Sequence, residues 1–158
     1  MNRTKNDLPE GTRTKVVELL NARLADSIEL RLQAKQAHWN VKGPNFIALH
    51  KLFDEAYEKV GEYVDEFAER LVALGGVAEG TSPAVSKRTT MPPYPLAAVD
   101  WRQHVEAFST ALAHFAKFAR AGIDESDKLG DKDTADLFTQ VSRGTDQLLW
   151  MVEAHLEK

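Results

Sequence analysis

The chain contains no cysteine, which excludes disulfides, thiolate nucleophiles and zinc sites built on sulfur. It has no long apolar run. The nearest approach, Leu71 to Ala78, is eight residues broken by two glycines, against the roughly 20 that a membrane-spanning helix needs. The opening MNRTKNDLPEG is polar throughout and lacks the apolar stretch of a secretory signal, so the expected compartment is the cytoplasm, with no membrane partner. Basic charge is not in excess: 20 Lys and Arg stand against 24 Asp and Glu, a formal net charge of -4. The body is therefore not a nucleic-acid-binding surface, and any DNA contact falls to a local basic segment. Internal repeats and low-complexity tracts are absent as well.

What is present is a globular balance, 43% hydrophobic and 28% charged residues in a chain of 158, which predicts a single domain. Helix breakers are scarce outside one region: Gly75, Gly76, Gly80, Pro83, Pro92, Pro93 and Pro95 account for seven of the 15 glycines and prolines. On either side the apolar spacing is helical. A first helix is expected from Thr12 or Thr14, either of which could cap it, to about Trp39, with Val17, Leu20, Leu24 and Ile28 on its buried face. Gly43-Pro44 should close it and open a second helix, from about Pro44 to Leu74. The seam of that helix is Leu49, Phe53, Ala56, Val60, Val64, Phe67, Leu71 and Leu74, the spacing of bundle packing. A third long helix is expected from about Asp100 to Lys128, burying Val105, Phe108, Leu112, Phe115 and Ala119, and a fourth from about Lys132 to Leu156 with Leu137, Val141, Leu148 and Val152.

Helices of this size are about 40 Å long at 1.5 Å per residue. Tight turns make the first and second antiparallel, and likewise the third and fourth. The roughly 25 residues between the pairs could span about 80 Å, enough to cross the whole bundle and let the second and third helices run parallel. The expected fold is all-α, a ferritin-like four-helix bundle with a long crossover, residues 12–158, preceded by a short polar tail, residues 1–11.

On the second helix His50, Asp54, Asp65 and Glu69 share one stripe beside the apolar seam, within about 100° of arc. Asp54 and Asp65 are about 16 Å apart along the axis, too far to serve one metal ion. One helix thus carries two half-sites. His50 and Glu69 are equidistant from a point between positions 59 and 60, and so are Asp54 and Asp65. An antiparallel pairing of two copies about a two-fold axis at that point would complete two identical sites. Gly61, on the same stripe near the axis, would allow another backbone to approach closely. His38, in AHWN at the end of the first helix, could reach the same region across the turn. Imidazoles with carboxylates suit Fe(II), Mn(II) or Zn(II) better than Ca(II) or copper. The same stripe is also what an ordinary solvated helix face looks like. Glu-x-x-His, the motif of di-iron sites inside a single bundle, is missing.

The segment KQAHWNVKGPNFIALHKLFDEAYEKVGEYVDEFAERLVALGG, with YPL and DTADLFTQVSRGTDQLLWMVEAHL further on, resembles the Dps family, the DNA-binding proteins from starved cells or miniferritins. The resemblance implies a hollow shell of twelve subunits with a ferroxidase site at each two-fold interface. Carried over by position, the ligands would be His38, His50 and Asp54 from one subunit and Asp65 and Glu69 from its neighbour. His38, Asp65 and Glu69 would lie nearer one iron, and His50 and Asp54 nearer the other. It further implies oxidation of Fe(II) to Fe(III), two irons per site, with hydrogen peroxide preferred over dioxygen, and storage of the ferric mineral. Zn(II) or Mn(II) are possible substitutes. Trp39 would serve as a radical quencher or as packing at a subunit contact. Asp127, Asp131 and Asp136 would line a cation-concentrating pore or simply cap and solvate a turn. His104, His114 and His155 read as packing or surface residues. A lysine-rich tail, on which DNA binding in the family often relies, is not seen here: Arg3 and Lys5 are opposed by Asp7 and Glu10. DNA binding is expected to be weak and steeply salt-dependent. A nucleoid-compacting architectural role and a metal-free assembly module are the competing readings.

Overall fold

The structure, a computed structural model, describes residues 1–157. It is built from α1 (Glu10–Asn40), α2 (Phe46–Ala73), α3 (Ser82–Arg88), α4 (Trp101–Lys128) and α5 (Lys132–Glu153), with no strand among the described residues. No helix among them is long and apolar enough to cross a membrane. The aromatic seam residues meet at the bundle centre. Phe53 of α2 sits edge-on to Phe108 of α4, ring centroids 5.5 Å apart, and Phe67 of α2 lies 5.3 Å from Phe138 of α5. Every expected seam residue of α2 is fully buried except Val64, which is half-buried, and Tyr63 joins the core although its spacing did not place it there.

Helix boundaries moved where local chemistry decided them. α1 starts at Glu10 behind Pro9, whose φ of -54° is preset for a first turn. Neither threonine caps it: Thr14 is inside the helix and donates its hydroxyl back to the Glu10 carbonyl. The preceding tail is docked, since the Asn2 amide donates to the Gly75 carbonyl at 2.6 Å and Arg13 reaches both the Leu8 and Leu74 carbonyls. Gly43 takes φ 112° in the α1–α2 turn and lies against Trp101, the first residue of α4. α4 therefore begins at the end of the bundle where α1 finishes, and runs parallel to α2.

The crossover contains a helix of its own, α3, which the Gly- and Pro-rich composition had concealed. It climbs α1 on a ladder of side chains. Asn21 bonds the backbone of Val77 and Glu79, Asp26 accepts from the Thr90 amide and from the hydroxyls of Thr89 and Thr90, and Gln33 donates to the Pro92 carbonyl. These three polar residues are buried because they supply partners to crossover backbone that would otherwise be desolvated unpaired.

Candidate metal centre

His38 and His50 face each other across the α1–α2 turn with rings stacked, centroids 3.7 Å apart. His38 Nδ1 is 2.7 Å from the His50 carbonyl and His50 Nδ1 is 2.9 Å from the His38 carbonyl. A carbonyl only accepts, so each Nδ1 carries the hydrogen and donates it. In the neutral rings both Nε2 atoms are then left with free lone pairs, the arrangement that prepares a histidine for a metal. The cross-bonding also locks the end of α1 onto the start of α2.

Asp54, one turn further along α2, has an oxygen 3.9 Å from His38 Nδ1 and accepts a hydrogen bond from the Lys35 ammonium. That bond is the main reason its carboxyl is held below the usual carboxylate range. The side chain is 46% exposed, so the pair remains open to exchange with a solvent cation. Lys35 escaped the sequence reading. The available signal was its position three residues before His38 on the same helical face.

Asp65 and Glu69 are exposed on α2 and have no hydrogen bond or ion pair among the described residues. Because α2 is one unbroken helix, Asp65 lies about 16 Å along the axis from Asp54. The structure thus brings His38, His50 and Asp54 together and leaves Asp65 and Glu69 apart from them. Among the described residues no group of three or more His, Asp or Glu is arranged to hold a metal ion within one chain. Two exposed apolar residues bracket this stripe, Ile47 at 60% exposure and Val72 at 52%. They too are equidistant from the point between positions 59 and 60.

Gly61 does not leave an empty gap for a second backbone. A Cβ there would lie 3.0 Å from the Arg31 guanidinium, which fills the notch from α1. Trp39 is exposed beside His38.

Residues 17–158 match the family model described as a ferritin-like domain. A protein of Agrobacterium fabrum named DNA protection during starvation protein is 44% identical over 156 residues, covering 99% of this chain and 96% of its own. The solved structure of Mycobacterium smegmatis Dps superposes with a TM-score of 0.94 at 32% identity, covering 100% of this chain and 95% of that one. DpsA14 from Streptomyces coelicolor gives 0.93 at 34% identity, with 98% and 92% covered. The chain belongs to the Dps family of ferritin-like proteins.

The acidic turn of this Dps-family chain, between α4 and α5, divides its three expected pore residues. Asp127 and Asp136 are exposed, the former beside Lys132. Asp131 is only 2% exposed. Its carboxylate caps α5 by accepting from the Thr134 amide and hydroxyl, and takes the Arg70 guanidinium at 2.7 Å. Its oxygens are committed inside the fold, to the α5 cap and to Arg70. Among the other histidines, His104 is a packing residue, buried with Nδ1 2.6 Å from the Tyr94 hydroxyl.

Proposed function

We propose that two copies of this chain pair α2 against α2 about the point between positions 59 and 60, and that His38, His50 and Asp54 of one subunit with Asp65 and Glu69 of the other bind two Fe(II) ions as substrate. At the coarser level of the family the work is iron handling and protection of DNA. The observation that carries the finer reading is the crossed His38–His50 lock, which gives both imidazoles a free Nε2 at one end of an acidic stripe whose complement lies at the other end of the same helix.

The chemistry follows from the donor set. Neutral imidazoles and hard carboxylates accept both oxidation states of iron, and negative charge favours Fe(III) as it forms. Two Fe(II) ions give one electron each. Hydrogen peroxide takes both electrons and two protons and leaves as two waters, so no hydroxyl radical is released. Dioxygen is the slower alternative oxidant. Asp127 and Asp136, exposed at the α4–α5 turn, would raise the local Fe(II) concentration at a pore of a closed twelve-subunit shell in which the ferric product is stored.

Mixed assemblies test the sharing of the site. Asp54→Ala and Glu69→Ala chains should each oxidise Fe(II) slowly with peroxide. Unfolded and reassembled together at equal amounts, they should regain about a quarter of the wild-type sites, because half of the pairs are mixed and each mixed pair has one intact site. If mixing restores no activity, or if either single variant keeps wild-type kinetics, the shared site is refuted.

A further inference from the structure

Two charges beside the proposed two-fold point, Arg31 and Glu58, form no ion pair within the chain among the described residues. The Arg31 guanidinium lies over the Tyr57 ring at 4.1 Å and fills the notch above Gly61, where a Cβ would be 3.0 Å from its Cζ and Nε. Its Nε is buried with no hydrogen-bond partner, and among the described residues Arg31 forms no ion pair. Glu58, exposed three residues before Gly61, has no ion pair either. Of the neighbouring charges, Lys35 is held by Asp54, and Lys59 by Glu62 at 2.6 Å. Each chain thus presents the Arg31 cation and the Glu58 anion close together beside the two-fold point, neither in an ion pair. A part-buried guanidinium without an anion carries an uncompensated desolvation cost.

Positions 58 and 61 are equidistant from the two-fold point, about 2 Å along the helix on either side of it. So close to the axis, the crossing angle of the two helices hardly changes which residues meet. We infer that Arg31 is an inter-subunit clamp: its guanidinium, held in the Gly61 notch by the Tyr57 ring, pairs with Glu58 of the partner subunit, and symmetry makes two such bridges. The occupant of this face is a second copy of the chain, since one patch supplies both members of each pair and the exposed Ile47 and Val72 obey the same two-fold relation. The clamp rests on the register of the proposed iron site, but neither Arg31 nor Glu58 is an iron ligand.

The test is a charge swap read by sedimentation equilibrium at several salt concentrations, with circular dichroism to check folding. Arg31→Glu and Glu58→Arg should each weaken subunit association by about tenfold or more, and the double variant Arg31→Glu/Glu58→Arg should recover most of the loss. Single reversals that leave association unchanged, or a double variant no better than the singles, overturn the clamp while leaving the iron site intact. A wild-type chain that stays monomeric overturns the clamp and the shared site together.

Discussion

His38 and His50 each donate a ring Nδ1–H to the other's backbone carbonyl, so the pair that would bind iron is also the clasp between α1 and α2. Replacing either with alanine should therefore do two things. Peroxide-driven Fe(II) oxidation should slow strongly, and unfolding in denaturant should show a loss of about 1–2 kcal/mol. A variant that loses activity with unchanged stability would mean that the carbonyl bonds carry no weight.

Lys35 holds the Asp54 carboxylate with a cation that a metal bound there, as proposed, would have to displace. Lys35→Met should raise the affinity for Zn(II), which binds without being oxidised, by about threefold to tenfold, the worth of one charge at a part-exposed site. Titration calorimetry reads this directly. Weaker binding in the variant would make Lys35 a support for the site and not a competitor.

Asp131 and its neighbours separate cap from surface. Asp131→Ala removes the α5 cap and leaves Arg70 without its buried partner, so a loss of about 2–4 kcal/mol is expected in thermal or denaturant unfolding. Asp127→Asn and Asp136→Asn should stay within about 0.5 kcal/mol of the parent, while slowing iron uptake through the proposed pore.

Burial of His104 beside Tyr94 pushes its imidazole below the ordinary value of 6.5. The unfolded chain then binds a proton more readily than the folded one. Stability should be constant at neutral pH and decline as pH falls below about 6.5, and His104→Gln should flatten that part of the profile. An unchanged slope in the variant would transfer the effect to another group.

The tail is docked through Asn2 and Gly75, and its few cations stand among acids. A gel shift should show DNA retained at about 50 mM salt and released at about 150 mM. Tight binding at the higher salt would restore the architectural reading.

Much of this molecule was legible in the chain because helical periodicity is local. Phe53, Phe67, Phe108 and Phe115 could be placed in the core from spacing alone, and the parallel course of α2 and α4 followed from the length of the crossover. The stripe of His50, Asp54, Asp65 and Glu69 was equally visible, as was its inability to close within one helix. α3 was hidden because its seven residues depend on α1 for partners: Asp26 and Asn21 hold the flanking backbone from outside the segment. For Asp131 the pore and the cap both stayed open in the sequence, because a capping carboxylate and a solvated one have the same letter.

The sequence alone determined the helical bundle, its seams and the polar stripe of His50, Asp54, Asp65 and Glu69, since each depends only on rise and angle per residue. Only the tertiary structure decided what stands against what: Lys35 on Asp54, Arg31 in the notch of Gly61, Arg70 on Asp131. Those partners come from positions 19 to 61 residues apart in the chain, and where two helix faces meet is fixed by packing the whole core, not by the spacing within either helix.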